Sequence, residues 1–509
     1  MARALLGRSA AVLLAVAVVL AAGAAAPPAT TRPGPFFPYQ PDIRPAPVVF
    51  VVFDELPLAS LLDGRGGIDD ERFPGFARLA SISTWYRNAT TPQTFTKEAL
   101  PALLTGTYPV RQVHVTFDYP RNLFSLLGRT HEIRASDVPA NLCPPDLCDA
   151  PVRPPPGPRL LGFGPGERGS LFFSFLDALE PPDRPRLHFV HLVLPHGPWR
   201  YLPSGQRYDE VDPMPGETDR RGRGTSWVPD RWLVAQAYQR HLLQTRLVDR
   251  LVSKLIVRLR RTGLLHEALV VVTADHGLGW VPGLPKRLPH ERTVATLAAV
   301  PLFVKAPGQT AGRVSDVPAE TVDVLPTVAD ILNARTWPGV EGISLWADVP
   351  PPDRARRVVD VPIVALRRRL RHAVETRQDL VGDDLWNVAP GRSEELVGLS
   401  RADLTIVRGT GVTAKSTAVE RLVRADPKGR AFPALFEGIL EGVPDGRRPR
   451  VAVMVEGTIA AVTRSFDWHG LQWFTAILRP GLFGDGEEKI RLFVVDDVAG
   501  RTLTRVAIE

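Results

Sequence analysis

The chain has 509 residues, of which 44% are hydrophobic and 23% are charged, and its formal net charge is +7. This length exceeds what one ordinary hydrophobic core supports, so we expect one large and one small globular domain. Only seven of the 62 basic residues are lysines, and arginines are spread over the whole chain. Because a nucleic-acid-binding protein concentrates its positive charge on one surface, we predict no nucleic-acid partner.

The first 26 residues have the layout of an export signal. Arg3 and Arg8 precede an uncharged, apolar stretch. Its length of about 20 residues suits both a cleaved signal peptide and a retained signal anchor. Residues 27–46 are rich in proline and threonine and indicate an extended tether. We therefore expect an extracytoplasmic protein, either secreted or held at the membrane by its N-terminal segment.

The predicted elements alternate between strands and helices as far as residue 346. This order is typical of an α/β domain with a largely parallel sheet sandwiched by helices. A long helix is predicted at 229–261 and a further helix after Thr321, and a linker is expected at 347–357. Residues 358–509 predict a small antiparallel β-rich accessory domain, preceded by a helical stretch at 363–374. The predicted strands of the first domain are 47–54, 187–194, 268–274 and 299–305.

Two local features lie outside this pattern. Cys143 and Cys148 are the only cysteines. Their spacing predicts a local disulfide in an oxidising compartment, and two free thiols are the alternative. The arginine-rich stretch 354–371 could touch anionic lipid or nucleic acid. Its interleaved apolar residues favour a solvated face of an amphipathic helix instead.

Metal-ligand side chains follow two of the predicted strands. Strand 47–54 ends on Asp54, with Glu55 next, and strand 268–274 is followed by Asp275 and His276. Because parallel strands bring their carboxyl ends to one edge of a sheet, these side chains should meet there. Glu55 is either a further ligand or points to solvent. The imidazole of His276 favours Zn or Mn over Ca.

A candidate nucleophile lies between these strands. Thr96 stands just before a short helical stretch that ends at Gly106. A hydroxyl at a helix N-terminus lies beside unpaired backbone donors, where an anionic ester can bind. The alternative is that Thr96 simply caps the helix.

The motifs occur in an order that resembles the sulfatase-like branch of the alkaline phosphatase superfamily. They are FDE at 53–55, Thr96 and Gly106 with nine residues between them, LPHGPW at 194–199, TADHG at 273–277, VPLFVKAPG at 300–308 and TVDVLPTVADIL at 321–332. The resemblance covers roughly residues 47–346. It implies an alkaline-phosphatase-like α/β core and a divalent metal held by Asp54, Thr96, Asp275 and His276.

The resemblance also implies residues that contact the substrate. His196 matches the family histidine that contacts the ester or a second metal, although a structural histidine is the alternative. His290 lies where relatives keep a lysine or histidine near the ester, and Lys286 competes for this role. His191, within a predicted strand, is expected to be a satisfied core histidine.

One departure from the family bears on the reaction. True sulfatases carry Cys or Ser in a C/S-x-P-x-R motif that is converted to formylglycine, whereas residues 96–100 read TKEAL. A threonine nucleophile resembles instead the phosphodiesterases and envelope phosphotransferases of the superfamily. We expect a hydrolase or transferase acting on a phosphate ester of a cell-envelope lipid or glycan. The alternatives are a sulfuric ester hydrolase without formylglycine and a catalytically silent glycan- or lipid-binding protein.

Overall fold

A computed structural model describes twelve segments of the chain. The predicted signal segment at 1–26 and most of the predicted tether lie outside them, as do residues 347–354 of the linker, so these assignments stay predictions. None of the helices in the twelve segments combines the length and apolarity needed to cross a membrane. The segments are 40–109, 119–136, 142–148, 168–181, 183–208, 216–219, 225–346, 355–382, 384–388, 392–409, 411–483 and 490–509.

A seven-stranded sheet forms the centre of the first domain. Its strands are β1 Val48–Asp54, β2 Thr84–Tyr86, β3 Glu132–Ser136, β4 Arg186–Pro195, β5 Leu269–Ala274, β6 Leu302–Lys305 and β7 Arg313–Ser315. Their spatial order is β7-β2-β6-β5-β1-β4-β3. The β1–β4, β1–β5, β3–β4 and β2–β7 pairs are parallel, whereas β6 runs antiparallel to β2 and β5. The predicted largely parallel sheet is therefore confirmed.

Helices cover both faces of this sheet. The helices of the described residues are α1 Pro74–Ala80, α2 Thr96–Thr105, α3 Leu123–Leu127, α4 Arg168–Asp177, α5 Arg231–Arg261, α6 Leu264–Glu267, α7 Val294–Ala298, α8 Val324–Ile331, α9 Leu366–Val381 and α10 Ala418–Val423. Alternate residues of a strand face opposite sides of the sheet. In β1, Val49 and Val51 pack with the long helix α5, whereas Phe50 and Val52 pack with α2 and α8. Asp230 caps the N-terminus of α5, and Gly263, with φ 78°, follows its end.

A second sheet of nine strands occupies the C-terminal region. Its strands are β8 Thr405–Val407, β9 Thr413–Lys415, β10 Leu435–Glu441, β11 Arg450–Val455, β12 Thr458–Arg464, β13 Phe466–Trp468, β14 Leu471–Ile477, β15 Ile490–Asp497 and β16 Thr502–Ile508. Their spatial order is β12-β11-β15-β16-β9-β10-β14-β13, with β8 beside β16. The sheet is mostly antiparallel, but β8 and β9 both pair in parallel with β16. The predicted β-rich C-terminal part is therefore present.

Short elements complete the described structure. Cys143 and Cys148 form a disulfide, as predicted. Two-stranded ribbons join Ala89–Thr90 to Ala319–Glu320, Glu217–Asp219 to Thr225–Trp227, and Arg357–Val358 to Val361–Pro362. Single 3₁₀ turns occur at Leu58–Ser60, Thr321–Asp323, Arg392–Leu396, Arg401–Asp403 and Pro480–Leu482.

The two parts of the chain share buried side chains. The apolar face of α9 carries Leu366, Leu370 and Val374 into the core of the first domain. Gln236 of α5 donates a hydrogen bond to Thr463 and accepts one from Thr475, both in the second sheet. Helix α5 therefore contacts both sheets, and the C-terminal region packs on the domain that carries the candidate site.

Candidate metal and active site

Four side chains meet at the carboxyl edge of the central sheet. Asp54 ends β1, and Asp275 and His276 directly follow β5. His191 comes from β4, where its Cα pairs with that of Val52 in β1. Because β4, β1 and β5 are adjacent and parallel, the ends of all three strands reach one place. Ligand atoms of Asp54, His191 and Asp275 lie within 4.8 Å of one another.

The separations between these atoms suit ligands of one cation. His191 Nε2 lies 3.9 Å from Asp54 Oδ2 and 3.7 Å from Asp275 Oδ2. His276 Nε2 lies 3.9 Å from Asp54 Oδ1 and 3.6 Å from Asp275 Oδ2. These distances are too long for hydrogen bonds. Ligand atoms at 2.0–2.2 Å from a tetrahedral metal lie about 3.3–3.6 Å apart, which is close to the observed spacing.

Several of these atoms lack a hydrogen-bond partner. Among the described residues, none bonds to Asp54 Oδ1, Asp275 Oδ2 or either ring nitrogen of His191. All three side chains are buried, and an unsatisfied buried polar atom is costly. The expectation that His191 is a satisfied core histidine is wrong, because it is buried but not satisfied. The residues fit a divalent metal, with His191 as a candidate ligand that the sequence analysis missed.

The charges of the two carboxylates also favour a cation. Burial raises the pKa of Asp54 well above its usual value, and repulsion from Asp275 and Glu55 raises this pKa further. Burial opposes ionisation of Asp275 as well, but His276 and His191 outweigh it and lower the pKa of Asp275 to about 2. A bound dication would stabilise both carboxylates in their charged form.

Backbone contacts set the orientation of His276. Its Nδ1 lies 2.9 Å from the carbonyl oxygen of Gly277 and acts as the donor in this hydrogen bond. The lone pair of Nε2 therefore faces the carboxylates, the arrangement that metal-ligating histidines usually have. Gly277 is required at this turn, because a Cβ there would lie 1.9 Å from the carbonyl oxygen of Thr296.

Thr96 lies beside His276. Its Oγ1 is 3.5 Å from His276 Nε2, and the side chain is half-buried. Thr96 is the first residue of α2, and the N-cap is Phe95 without a side-chain capping bond. Thr96 therefore does not cap the helix, and its hydroxyl faces the cluster of Asp54, Asp275 and His276.

Glu55 forms an ion pair next to this cluster. It is buried, and its backbone adopts a left-handed conformation with φ 59°. Arg287 Nε donates to Glu55 Oε1 at 2.6 Å. Burial would raise the pKa of Glu55, but His196, when its ring is protonated at acid pH, and the guanidinium of Arg287 hold this pKa well below its usual value. Glu55 thus points neither to solvent nor to the carboxylate pair, but to Arg287.

His196 occupies the other side of Arg287. Its Nδ1 is hydrogen-bonded to the carbonyl oxygen of Gly197, and its Nε2 faces Arg287 Nη2. Burial lowers the pKa of His196, so the ring is neutral and accepts a hydrogen bond from the guanidinium. Arg168 and Gln244 donate to the carbonyl oxygen of His196 and fix this loop.

Arg287 is the second residue that the sequence analysis missed. Its guanidinium carbon lies 5.7 Å from the ring centre of Phe95, the neighbour of Thr96. Lys286 and His290, the two residues that the sequence analysis weighed for contact with the ester, lie on either side of Arg287 in the chain. Lys286 lies over the indole rings of Trp199 and Trp227. His290 is exposed, and its Nδ1 accepts from the backbone N–H of Arg292, so its contact with an ester stays a prediction.

Comparisons with known proteins agree with the resemblance of the motifs between residues 151 and 334. Residues 151–334 match the Sulfatase family model. The chain is 30% identical over 180 residues to N-acetylglucosamine-6-sulfatase of Homo sapiens, covering 32% of this chain and 31% of that protein. It is 25% identical over 184 residues to the ulvan-active sulfatase of Formosa agariphila, covering 35% of each.

Among solved structures, the phosphonate monoester hydrolase of Silicibacter pomeroyi superposes with a TM-score of 0.43 at 18% identity, over 59% of this chain and 76% of that one. The chain spans about a third of the length of the curated relatives that it matches. The match of residues 151–334 includes His191, Asp275, His276 and Arg287, whereas Asp54 and Thr96 precede it. The resemblance to the sulfatase-like branch of the alkaline phosphatase superfamily is confirmed.

Proposed function

We propose that the chain is an extracytoplasmic, metal-dependent hydrolase or transferase that acts on a phosphate ester of a cell-envelope glycan or lipid, with Thr96 as its nucleophile. The observation that carries this proposal is the placement of Thr96 Oγ1 at 3.5 Å from His276 Nε2. A half-buried hydroxyl there lies next to two buried carboxylates and two imidazoles, where a metal fits.

Each residue has a distinct role in the proposed site. Asp54, His191, Asp275 and His276 would hold the metal, together with Thr96. Two imidazoles in this set favour Zn or Mn over Ca. A bound dication lowers the pKa of a hydroxyl that it coordinates and offsets negative charge on the ester. Arg287, held by Glu55, supplies a fixed positive charge for the non-bridging oxygens of the ester.

The reaction follows from these positions. The hydroxyl proton of Thr96 leaves to solvent, and Oγ1 forms a bond to phosphorus while the bond from phosphorus to the leaving alcohol breaks. The departing oxygen takes a proton from water. Water or an acceptor alcohol then loses a proton to solvent and attacks phosphorus, the bond from phosphorus to Oγ1 breaks, and Oγ1 takes a proton from water, which restores Thr96. His196 remains neutral and positions Arg287 through Nε2.

The lowered pKa and the hydrogen bonds of His196 bear on whether it could also protonate the leaving group. A histidine that protonates the leaving group must hold a proton to give away. The hydrogen of neutral His196 is already donated to Gly197, and the other nitrogen faces Arg287. We therefore assign the binding of the ester anion to Arg287 and the orientation of Arg287 to His196.

A sulfate ester is the second candidate substrate. Both curated relatives are named as sulfatases, and one is named for a sulfated sugar. A metal, a fixed arginine and a nucleophile would serve either ester. The absence of Cys or Ser at position 96 is our reason for preferring the phosphate ester.

Export is the remaining part of the proposal. The disulfide of Cys143 and Cys148 supports an oxidising compartment, and the apolar N-terminal segment supports secretion or anchoring at the membrane. Export can be tested by fusing a reporter enzyme after residue 46. Activity of a reporter that works only outside the cytoplasm would support export, and activity of a reporter that works only in the cytoplasm would contradict it.

The decisive experiment compares Thr96→Ala with the parent protein, using phosphodiester and sulfate monoester substrates of the same chromogenic alcohol. Loss of the nucleophile should lower kcat by a factor on the order of 10³ or more. Lys97→Ala, an exposed neighbour on the same helical turn, should retain activity. The metal content of all three proteins is measured by elemental analysis.

The outcomes separate the candidates. Phosphodiester turnover that is lost only in Thr96→Ala, with metal still bound, supports the proposal. Turnover confined to the sulfate ester favours the sulfuric ester hydrolase. Equal activity in Thr96→Ala contradicts the nucleophile, and no turnover with no metal in the parent protein favours a silent binding protein.

A further inference from the structure

Lys286 directly precedes Arg287 in the chain, but its side chain has a different environment. Its ammonium nitrogen lies 5.6 Å from the ring centre of Trp199 and 5.2 Å from that of Trp227. A cation within about 6 Å of an aromatic ring centre is attracted to the electron-rich face, and indole attracts it most strongly. Lys286 is half-buried, and such an attraction is stronger where water is partly excluded.

The backbone of Lys286 is fixed by the same tryptophan. Its carbonyl oxygen accepts from the N–H of Gly279 at 2.8 Å, and the N–H of Trp227 donates to the carbonyl oxygen of Leu284 at 3.1 Å. The indole N–H of Trp227 donates to the carbonyl oxygen of Gly279 at 2.8 Å. The segment that leads into Arg287 is therefore tied to Trp227 through both its main chain and the side chain of Lys286.

Trp199 links Lys286 to the residues that orient Glu55. Its indole packs edge-on against the ring of His241, with centroids 6.1 Å apart. His241 is hydrogen-bonded to the carbonyl oxygen of Glu55, and the carboxylate of Glu55 accepts from Arg287. These contacts close a circuit, because Arg287 and Lys286 are neighbours in the chain. A change at one end of the circuit should therefore be transmitted to the guanidinium at the other.

We propose that Lys286 is a positioning residue, whose contact with the two indole rings holds Arg287 where the guanidinium meets Glu55 and the anionic ester. The sequence analysis weighed Lys286 for contact with the ester itself, whereas its ammonium group lies over the indoles. The identity of the ester rests on the proposed function, but the placement of Arg287 by Lys286 does not.

The test compares Lys286→Met and Lys286→Arg with the parent protein, all loaded with metal. Steady-state kinetics gives kcat/KM for the phosphodiester, and calorimetry gives Kd for inorganic phosphate. Methionine keeps an unbranched side chain without the charge. It should lower kcat/KM about tenfold and raise Kd by a similar factor, which is the size expected for loss of a partly buried cation–π contact. Arginine keeps a charge that stacks on aromatic rings and should recover most of both losses.

The matched control is Lys254→Met, which removes the same charge from another half-buried lysine. Lys254 lies about 20 Å beyond His241 along α5. Charges that far apart are largely screened by salt, so this variant should change kcat/KM and Kd by less than about twofold.

A double-mutant cycle with Arg287→Gln separates positioning from direct attraction of the anion. If Lys286 acts through Arg287, Lys286→Met should add less than about twofold to the loss in the Arg287→Gln protein. Losses of equal size in both backgrounds overturn the proposal, because the charge of Lys286 would then attract the anion itself. An equal loss in Lys254→Met, or unchanged values in Lys286→Met, also overturns it.

Failure of the proposed function would show separately, as absent phosphodiester turnover in the parent protein. The phosphate measurement then decides: a Kd that rises in Lys286→Met, with no further rise when this change is added to Arg287→Gln, supports the positioning role. A parent protein that does not bind phosphate overturns it, since Arg287 would then hold no anion.

Discussion

His241 Nε2 lies 3.0 Å from the carbonyl oxygen of Glu55, and this contact holds the residue next to Asp54 in a left-handed backbone conformation. Such a conformation is unfavourable for a residue other than glycine and persists only where surrounding contacts impose it. The second contact is the N–H of Glu55, which lies 3.3 Å from Asp275 Oδ1. Together they turn the carboxylate of Glu55 toward Arg287 and leave Asp54 facing the metal site.

We predict that His241→Leu lowers kcat for the phosphodiester, because Glu55 then loses the donor that fixes its backbone. The buried carbonyl would also be left unsatisfied, at a cost of about 1–3 kcal/mol in the free energy of unfolding. His241→Gln offers an amide N–H in a similar place and should recover part of both losses. Steady-state kinetics and urea unfolding check this. Equal kcat for the Leu variant and the parent protein would show that His241 does not position Glu55.

Arg287 should control the binding of the anionic ester without affecting the metal. We predict that Arg287→Gln lowers kcat/KM about 100-fold, since a fixed donor to the reacting anion is lost. Arg287→Lys should recover only part of this, because an ammonium lacks the forked donors that meet Glu55 and the ester together. The metal content should stay unchanged in both variants.

Arg287→Gln also leaves Glu55 buried without its ion-pair partner, which costs stability. The control is therefore Glu55→Gln/Arg287→Gln, which should regain stability in urea unfolding but not activity. If the double substitution restored kcat/KM as well, the charge of Arg287 would have no part in binding the ester.

His191 and His188 form a matched pair for testing the metal site. Both are buried in β4 without a hydrogen-bond partner among the described residues, but only His191 faces Asp54 and Asp275. We predict that His191→Asn weakens metal affinity by more than about 100-fold, since even loss of a residue that only orients a ligand costs 10–100-fold. His188→Asn should keep the metal. Competition with a metal-binding dye measures both, and equal retention would remove His191 from the ligand set.

The contrast between these histidines shows what the sequence could predict. In the sequence, the apolar run of β1 ends on Asp54 and that of β5 is followed directly by Asp275, so the edge of the sheet and its candidate metal ligands could be predicted from the local pattern. His191 lies inside such a run, where the pattern indicates burial and nothing more. Whether a buried ring has a partner depends on which strands pair with its own, and those strands are distant in sequence.

Arg287 was missed for a related reason. It stands between Lys286 and His290 in a loop rich in charge, where no periodicity distinguishes one basic residue from the next. Its partner Glu55 is 232 residues away in the chain.

The unpartnered ring of His188 should make the protein sensitive to acid. Burial lowers the pKa of His188 to about 4, with a further contribution from Arg186, whereas an unfolded histidine has a pKa near 6.5. Above pH 6.5 the ring is neutral in both states. As the pH falls from 6.5 toward 4, the unfolded chain binds the proton more readily, so the folded state loses up to roughly 3 kcal/mol. His188→Phe removes this group and keeps a ring against Phe175, whose centroid lies 6.5 Å away. Urea unfolding at pH 8 and pH 5 should therefore show a smaller loss of stability in the variant than in the parent protein, and an identical loss in both would mean that His188 does not titrate on unfolding.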